Sequence, residues 1–187
     1  GSNYTDYCRH NMFYNGLTSL DEQLAPSMAL AESFDTSDAL TWNIKLRKDV
    51  VFHDGKPLTS ADVVYSLTRH KLPQVGSKAL SIAQQFEEVK ASGPHEVLVR
   101  LVSPNADLPA ILGTTHFLIV RDGASDFATA NGTGPFTCAE FQPGVRSIAK
   151  RNDNYWKAGL PYLTKSSSSP SPTSRRASVH CWPATWT

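Results

Sequence analysis

An imidazole beside a carboxylate is the minimal equipment for general-base catalysis, and His53-Asp54 in VVFHDGKPL has it. Asp54-Gly55 is also a strong turn dipeptide with polar neighbours, so the pair is expected on a solvated hairpin tip. His10, His70, His95, His116 and His180 are dispersed. They form neither an HExxH motif nor an i,i+4 pair, so no metal site is expected. A G-x-S-x-G elbow for a nucleophilic serine is missing as well. Gly132-Thr133-Gly134 has the composition of a phosphate-cradling loop. Such loops open a helix and carry further glycines or a Lys-Ser/Thr pair, whereas Pro135-Phe136 and a strand-like run follow here. Its expected role is a backbone crossing that only glycine permits. Cys8, Cys138 and Cys181 are odd in number and share no CxxC spacing, which argues against both a zinc site and a disulfide framework. A Cys8–Cys138 bond and a pair of buried thiols both stay open. The expectation is a protein with no catalytic residue, no cofactor and no metal.

Composition narrows the partners. Hydrophobic residues make up 40% and charged residues 19%, the profile of an ordinary globular chain. Residues 1–163 hold all 17 acidic residues of the protein against 15 Lys and Arg; Lys165, Arg175 and Arg176 follow. A body so close to neutral offers no basic face for nucleic acid. No apolar run is long enough to span a bilayer. No signal peptide is visible, and Gly1-Ser2 reads as an expression-vector scar.

The elements that would position these residues follow from periodicity. TDYCRHNMFYN (5–15) fits a short helix closed by Gly16. LTSLDEQLAP reads as a strand and turn, and PSMALAESF as one or two helical turns opened by Pro26. LTWNIKLR (40–47) alternates Leu40, Trp42, Ile44 and Leu46 with polar residues, the period of a half-buried strand. Thr59-Ser-Ala-Asp62 is a near capping box opening a helix with Val63, Val64 and Leu67 on its apolar face. Residues 77–85 look helical, FEEVKAS and EVLVRLVS look like strands joined through Gly93-Pro94, and Glu87-Glu88 reads as a solvated edge. LPAILG is a short helix, HFLIV a strand, and FTCAEFQ and VRSIAKRN two strands about Gln142-Pro143-Gly144. Antiparallel pairs with scattered helices make an α+β fold, a mixed sheet with helices.

Four stretches together resemble one family: YNGL (14–17), LAESF (30–34), LTWNIKLRKDVVFHDGKPLTSADVVYSL (40–67) and NGTGPFTCAEFQPGVRSIAKRNDNYW (131–156). The chain is similar, over about residues 4–163, to the family 5 extracellular solute-binding proteins, the oligopeptide, dipeptide and nickel class that delivers ligands to ABC importers. The resemblance implies a partial lobe of the type II periplasmic-binding-protein kind in residues 1–163, with the family's opening strand and second lobe absent from this sequence. It implies a non-enzymatic function, a small-molecule or peptide ligand, an ABC-transporter membrane permease as partner, and a periplasmic or cell-surface-anchored location. Trp42, Phe52 and Tyr65 are expected in the core, and Tyr155-Trp156 where the chain turns back into the body. Candidate ligand-binding residues are Tyr14 and Asn15 after the first helix, and Thr114, Thr115 and His116 before the expected strand. Two other functions stay in view: a small hydrolase using His53 or His116, and a stand-alone interaction domain recruiting a partner through its tail.

That tail, TKSSSSPSPTSRRASVHCWPATWT (164–187), holds seven serines and no acid. It would ordinarily be a Ser/Pro-rich linker, and Arg175-Arg176-Ala177-Ser178 resembles a basic kinase site. Back-translation offers another origin. Joining the last base of each codon to the first two of the next turns His180-Cys181-Trp182-Pro183 into Leu-Leu-Ala, and Trp186-Thr187 into Asp, whatever synonymous codons are used. The family has a phrase R-V-x-A-L-L-x-G-x-V-D in this region. The expectation is a base lost near codon 163 and a non-native tail read out of frame.

Overall fold

The computed structural model describes residues 4–125, 127, 129–142 and 146–168. Its elements run α1 (Tyr4–Phe13), β1 (Thr18–Leu20), β2 (Pro26–Met28), β3 (Ala31–Asp35), β4 (Thr41–Leu46) and α2 (Ser60–Thr68). Then come α3 (Leu80–Ala83), β5 (Phe86–Gly93), β6 (Glu96–Leu101), α4 (Leu108–Leu112), β7 (Phe136–Gln142), β8 (Arg146–Arg151) and β9 (Lys165–Ser168). Three antiparallel sheets result: β1-β2, β3-β4-β6-β5 and β7-β8-β9. The class is α+β.

The central sheet follows from its alternation. Trp42, Ile44 and Leu46 on β4 and Val97, Val99 and Leu101 on β6 are buried, while Asn43 and Lys45 are exposed. A one-residue slip would put the whole apolar set into water, so this face fixes the register. Val63 and Leu67 of α2, Leu108 and Leu112 of α4, and Phe52, Phe86 and Phe117 fill the space over that face. A smaller cluster gathers Phe13, Tyr14, Val120, Ala130, Phe136 and Ala149 between α1 and the β7-β8 pair. Trp42 and Phe52 are core residues; Tyr65 is half-buried against the smaller cluster, and its hydroxyl donates to the Ala124 carbonyl at 2.9 Å. At the start of α2 the Asp62 carboxylate accepts from the Thr59 amide at 2.8 Å and the Thr59 hydroxyl at 2.7 Å. Its other oxygen takes the Asp122 amide at 2.8 Å, so one acid closes the helix end and anchors a distant loop.

Three local expectations are corrected. PSMALAESF is not helical: it supplies β2 and β3, because β4 needs a partner along its outer edge and the Leu30 carbonyl accepts the Arg47 amide. Tertiary pairing outweighs local propensity in so short a segment. HFLIV is not a strand. Thr115–Phe117 forms a 3-10 turn, and the amides beyond it go elsewhere, Ile119 to the Asn15 carbonyl and Val120 to the Ser66 hydroxyl. The third, at His53, belongs to the site. Of the remaining features, Gln142-Pro143-Gly144 lies partly, and Arg175-Arg176-Ala177-Ser178 and Cys181 wholly, outside the described residues.

Candidate functional site

His53 is not a solvated tip. Its Nε2 lies 3.0 Å from the Gly134 carbonyl oxygen, while Nδ1 lies 3.3 Å from the Gly132 amide and 3.2 Å from the Ala130 carbonyl. Burial pushes its pKa below the ordinary imidazole value, against the opposing pull of the two carbonyls. The neutral ring with its proton on Nε2 fits these partners: it donates to Gly134 and accepts from Gly132. Both nitrogens are thus spent on main chain, a structural clamp rather than a general base. Asp54 pairs instead with Arg121 at 2.6 Å.

The clamp holds the Gly132-Thr133-Gly134 crossing against the end of α1. A β-carbon on Gly132 would collide with the Phe13 carbonyl oxygen, and one on Gly134 would sit 2.5 Å from the Met12 carbonyl oxygen. Two backbones touch here, and only glycine lets them. The crossing forms structure, not a phosphate cradle. Cys138, on the strand that follows, is a free, half-buried thiol.

Beside α1 and this loop lies a cavity of about 280 Å³. Phe13, Val120 and Ala130, all buried, are part of its lining. Arg9, His10 and Tyr14 reach it from α1 and its end, Arg69 from the turn after α2, and Thr115 and His116 from the 3-10 turn. No acidic side chain lines it among the described residues. The Arg9 guanidinium stacks 3.4 Å above the Phe141 ring, and the Arg69 guanidinium lies 4.6 Å from the Phe127 ring centre. Next to the cavity, burial and then the neighbouring Arg69 and His116 hold the His70 pKa down to about 4.

Of the five sequence candidates, Tyr14, Thr115 and His116 meet at this cavity. Asn15 and Thr114 do not line it. The Asn15 carboxamide oxygen accepts from Trp156 Nε1 at 3.1 Å, and the Thr114 hydroxyl caps α4 by donating to the Ile111 carbonyl at 2.8 Å. Arg9, Arg69 and Phe127 escaped the sequence reading. The available signal was Arg9 one helical turn before Phe13, a cation spaced to share a helix face with an aromatic ring. No group of three or more His, Cys, Asp or Glu that could hold a metal occurs among the described residues. No helix among them is long and apolar enough to cross a membrane.

Relatives share this architecture. The chain is 32% identical over 166 residues to the oligopeptide-binding protein AppA of Bacillus subtilis, covering 82% of this chain and 30% of AppA. It is 29% identical over 158 residues to the glutathione-binding protein GsiB of Pectobacterium atrosepticum, covering 81% of this chain and 31% of GsiB. The solved structure of AgaA from A. tumefaciens R10 with agropinic acid superposes at a TM-score of 0.80 with 26% identity, over 88% of this chain and 35% of that one. The chain therefore spans about 30% of the length of the curated relatives it matches. The family model for bacterial extracellular solute-binding proteins, family 5 (middle), matches residues 25–178, most of the chain. On that match and that shared fold, the chain belongs to the family 5 bacterial extracellular solute-binding proteins.

Proposed function

We propose that residues 1–163 form one wall of the ligand cleft of a solute-binding protein that captures peptides or related small solutes outside the cytoplasm and hands them to an ABC-importer permease. The observation that carries this is the cavity at the end of α1, where Tyr14, Thr115 and His116 meet on a family 5 lobe. In a hinged clamp, ligand is held between two lobes, and one wall alone contributes only part of the contact. The reading assigns no chemistry to the chain; its work is binding and release. Isothermal titration with defined peptide mixtures tests it, on this chain and on a version extended in frame by a family second lobe. Weak or undetectable binding by the chain and tight binding by the extended protein is the expected pair. Equally tight binding by both, or none by either, overturns it.

We also propose that residues 164–187 are an out-of-frame reading of family sequence. Support comes from the forced Leu-Leu-Ala and Asp in the shifted frame; the pairing of Lys165–Ser168 in β9 with β8 uses main-chain bonds that any sequence can supply and is compatible with either frame. The family match continuing to residue 178 is the observation against it. Sequencing the encoding DNA decides: a shifted frame that stops at once, or departs from family sequence, ends the idea.

A further inference from the structure

Arg9 carries an unusual deficit. Its Nε and Nη2 are both buried without any hydrogen-bond partner, and so is Nε of Arg69. On a guanidinium, Nε–H and Nη2–H point the same way, forming the side-on edge that grips the two oxygens of one carboxylate. Buried polar groups nearly always find partners, and those that do not call for an explanation. Here the unpartnered edge and the second orphaned guanidinium nitrogen belong to residues lining the same cavity, which has no acidic side chain among its described residues.

We propose that this cavity is an anion subsite, taking a carboxylate group of the solute on the Nε–Nη2 edge of Arg9 with Arg69 as the second cation. The inference rests on the solute-binding reading for the cavity's use, while its chemistry stands on the two arginines. Contact with the Phe141 ring, 3.4 Å from the guanidinium carbon to the ring centre, holds Arg9 in the free protein. Because the two nitrogens meet no solvent in this conformation, a ligand reaches them when the side chain swings off the ring. Phe141 itself is partly exposed, so the swing displaces no core residue.

The test is an NMR titration of the 187-residue chain, following the arginine Nε–Hε signals. Disodium succinate is the probe, with succinamide and sodium chloride as neutral and ionic-strength controls. The expected result is a saturable shift of the Arg9 and Arg69 signals and of the Phe141 ring protons with succinate only. Arg9→Gln should weaken succinate binding at least tenfold, and Arg9→Lys, which keeps the charge but loses the fork, should weaken it nearly as much. Equal, non-saturating shifts with chloride mean an adventitious ion only and overturn the proposal, as does succinate binding unchanged in Arg9→Gln. If that variant does not fold, the wild-type signals decide alone, because they report from the atoms in question. Tight binding of neutral peptides with silent arginine signals would sink this inference and leave the solute-binding reading standing. Carboxylate binding without any peptide binding by the extended protein would do the reverse.

Discussion

The carboxamide oxygen of Asn15 accepts a hydrogen bond from the indole Nε1 of Trp156 at 3.1 Å, although the two residues stand 141 positions apart. The Thr133 hydroxyl approaches the same oxygen at 3.4 Å, so one side chain ties the end of α1 to the glycine crossing and to the segment after β8. The Arg47 guanidinium lies 5.0 Å from the Trp156 ring centre. Asn15 thus acts as a three-way clasp for the lobe.

Asn15→Ala removes the acceptor and leaves the half-buried indole N–H without its protein partner. A loss of about 1–3 kcal/mol in unfolding free energy is expected. Urea denaturation followed by tryptophan emission measures it, with the emission of the native state shifting to the red as the Trp156 region loosens.

Two glycine substitutions should separate collision from strain. Gly134→Ala drives a β-carbon to 2.5 Å from both the Met12 carbonyl oxygen and the Phe13 carbonyl carbon, backbone atoms that cannot move aside cheaply. A loss of about 3 kcal/mol or more, seen as failure to give a cooperative transition, is expected. Gly55→Ala meets no atom within 4 Å and suffers only its φ of +81°, so about 1–2 kcal/mol is expected. Thermal unfolding by circular dichroism ranks the two.

Ser66→Ala tests why HFLIV is not a strand. The Ser66 hydroxyl, fully buried, accepts the Val120 amide at 2.9 Å and donates to the Asp62 carbonyl at 2.6 Å. Without it the Val120 amide has no acceptor in the core, at a cost of about 1–3 kcal/mol. Hydrogen exchange at the Val120 amide should accelerate more than at the amides of β4, a pattern that uniform destabilisation would not give.

His70 sets a pH dependence. Its ring packs edge-on against Phe117 at 5.1 Å, and Nδ1 lies 2.7 Å from the Ser77 hydroxyl. The unfolded chain takes up the proton near pH 6.5 and the folded chain only near 4, so protonation favours unfolding. The stabilisation is complete above pH 6.5 and is lost as pH falls from there towards 4. With the shift discounted for the ring's partial solvent access, the loss is about 1–2 kcal/mol. His70→Gln should flatten the unfolding free energy across pH 4–6.5; an unchanged slope would show that other groups govern it.

How much of this was readable in the chain differs from segment to segment. The alternation of Trp42, Ile44 and Leu46 marked β4 and its buried face, and Thr59 with Asp62 marked the start of α2, because both signals are carried by neighbours in sequence. The stretches about Pro26 and His116 depart from their local pattern, because their amides bond to β1, β4, Asn15 and Ser66, partners that no local pattern announces. His53-Asp54 departs from its local pattern for the same reason: its turn is local, but the carbonyls that bind the ring come from residues 130 and 134.

Sequence by itself determined the family, the α+β class, the sheet faces and the demand for glycine at 132 and 134. The family rests on the resemblance carried by four stretches between residues 14 and 156 taken together; the rest follows from residue type and short-range spacing. Only the tertiary structure decided that Tyr14, Thr115 and His116 share a cavity while Asn15 and Thr114 turn away, and that Arg9 and Arg69 bring two cations to it. A site is a meeting of side chains from α1, the turn after α2 and the turn after α4. Which of them meet is fixed by long-range packing around Phe13, Phe117 and Val120, not by their order along the chain.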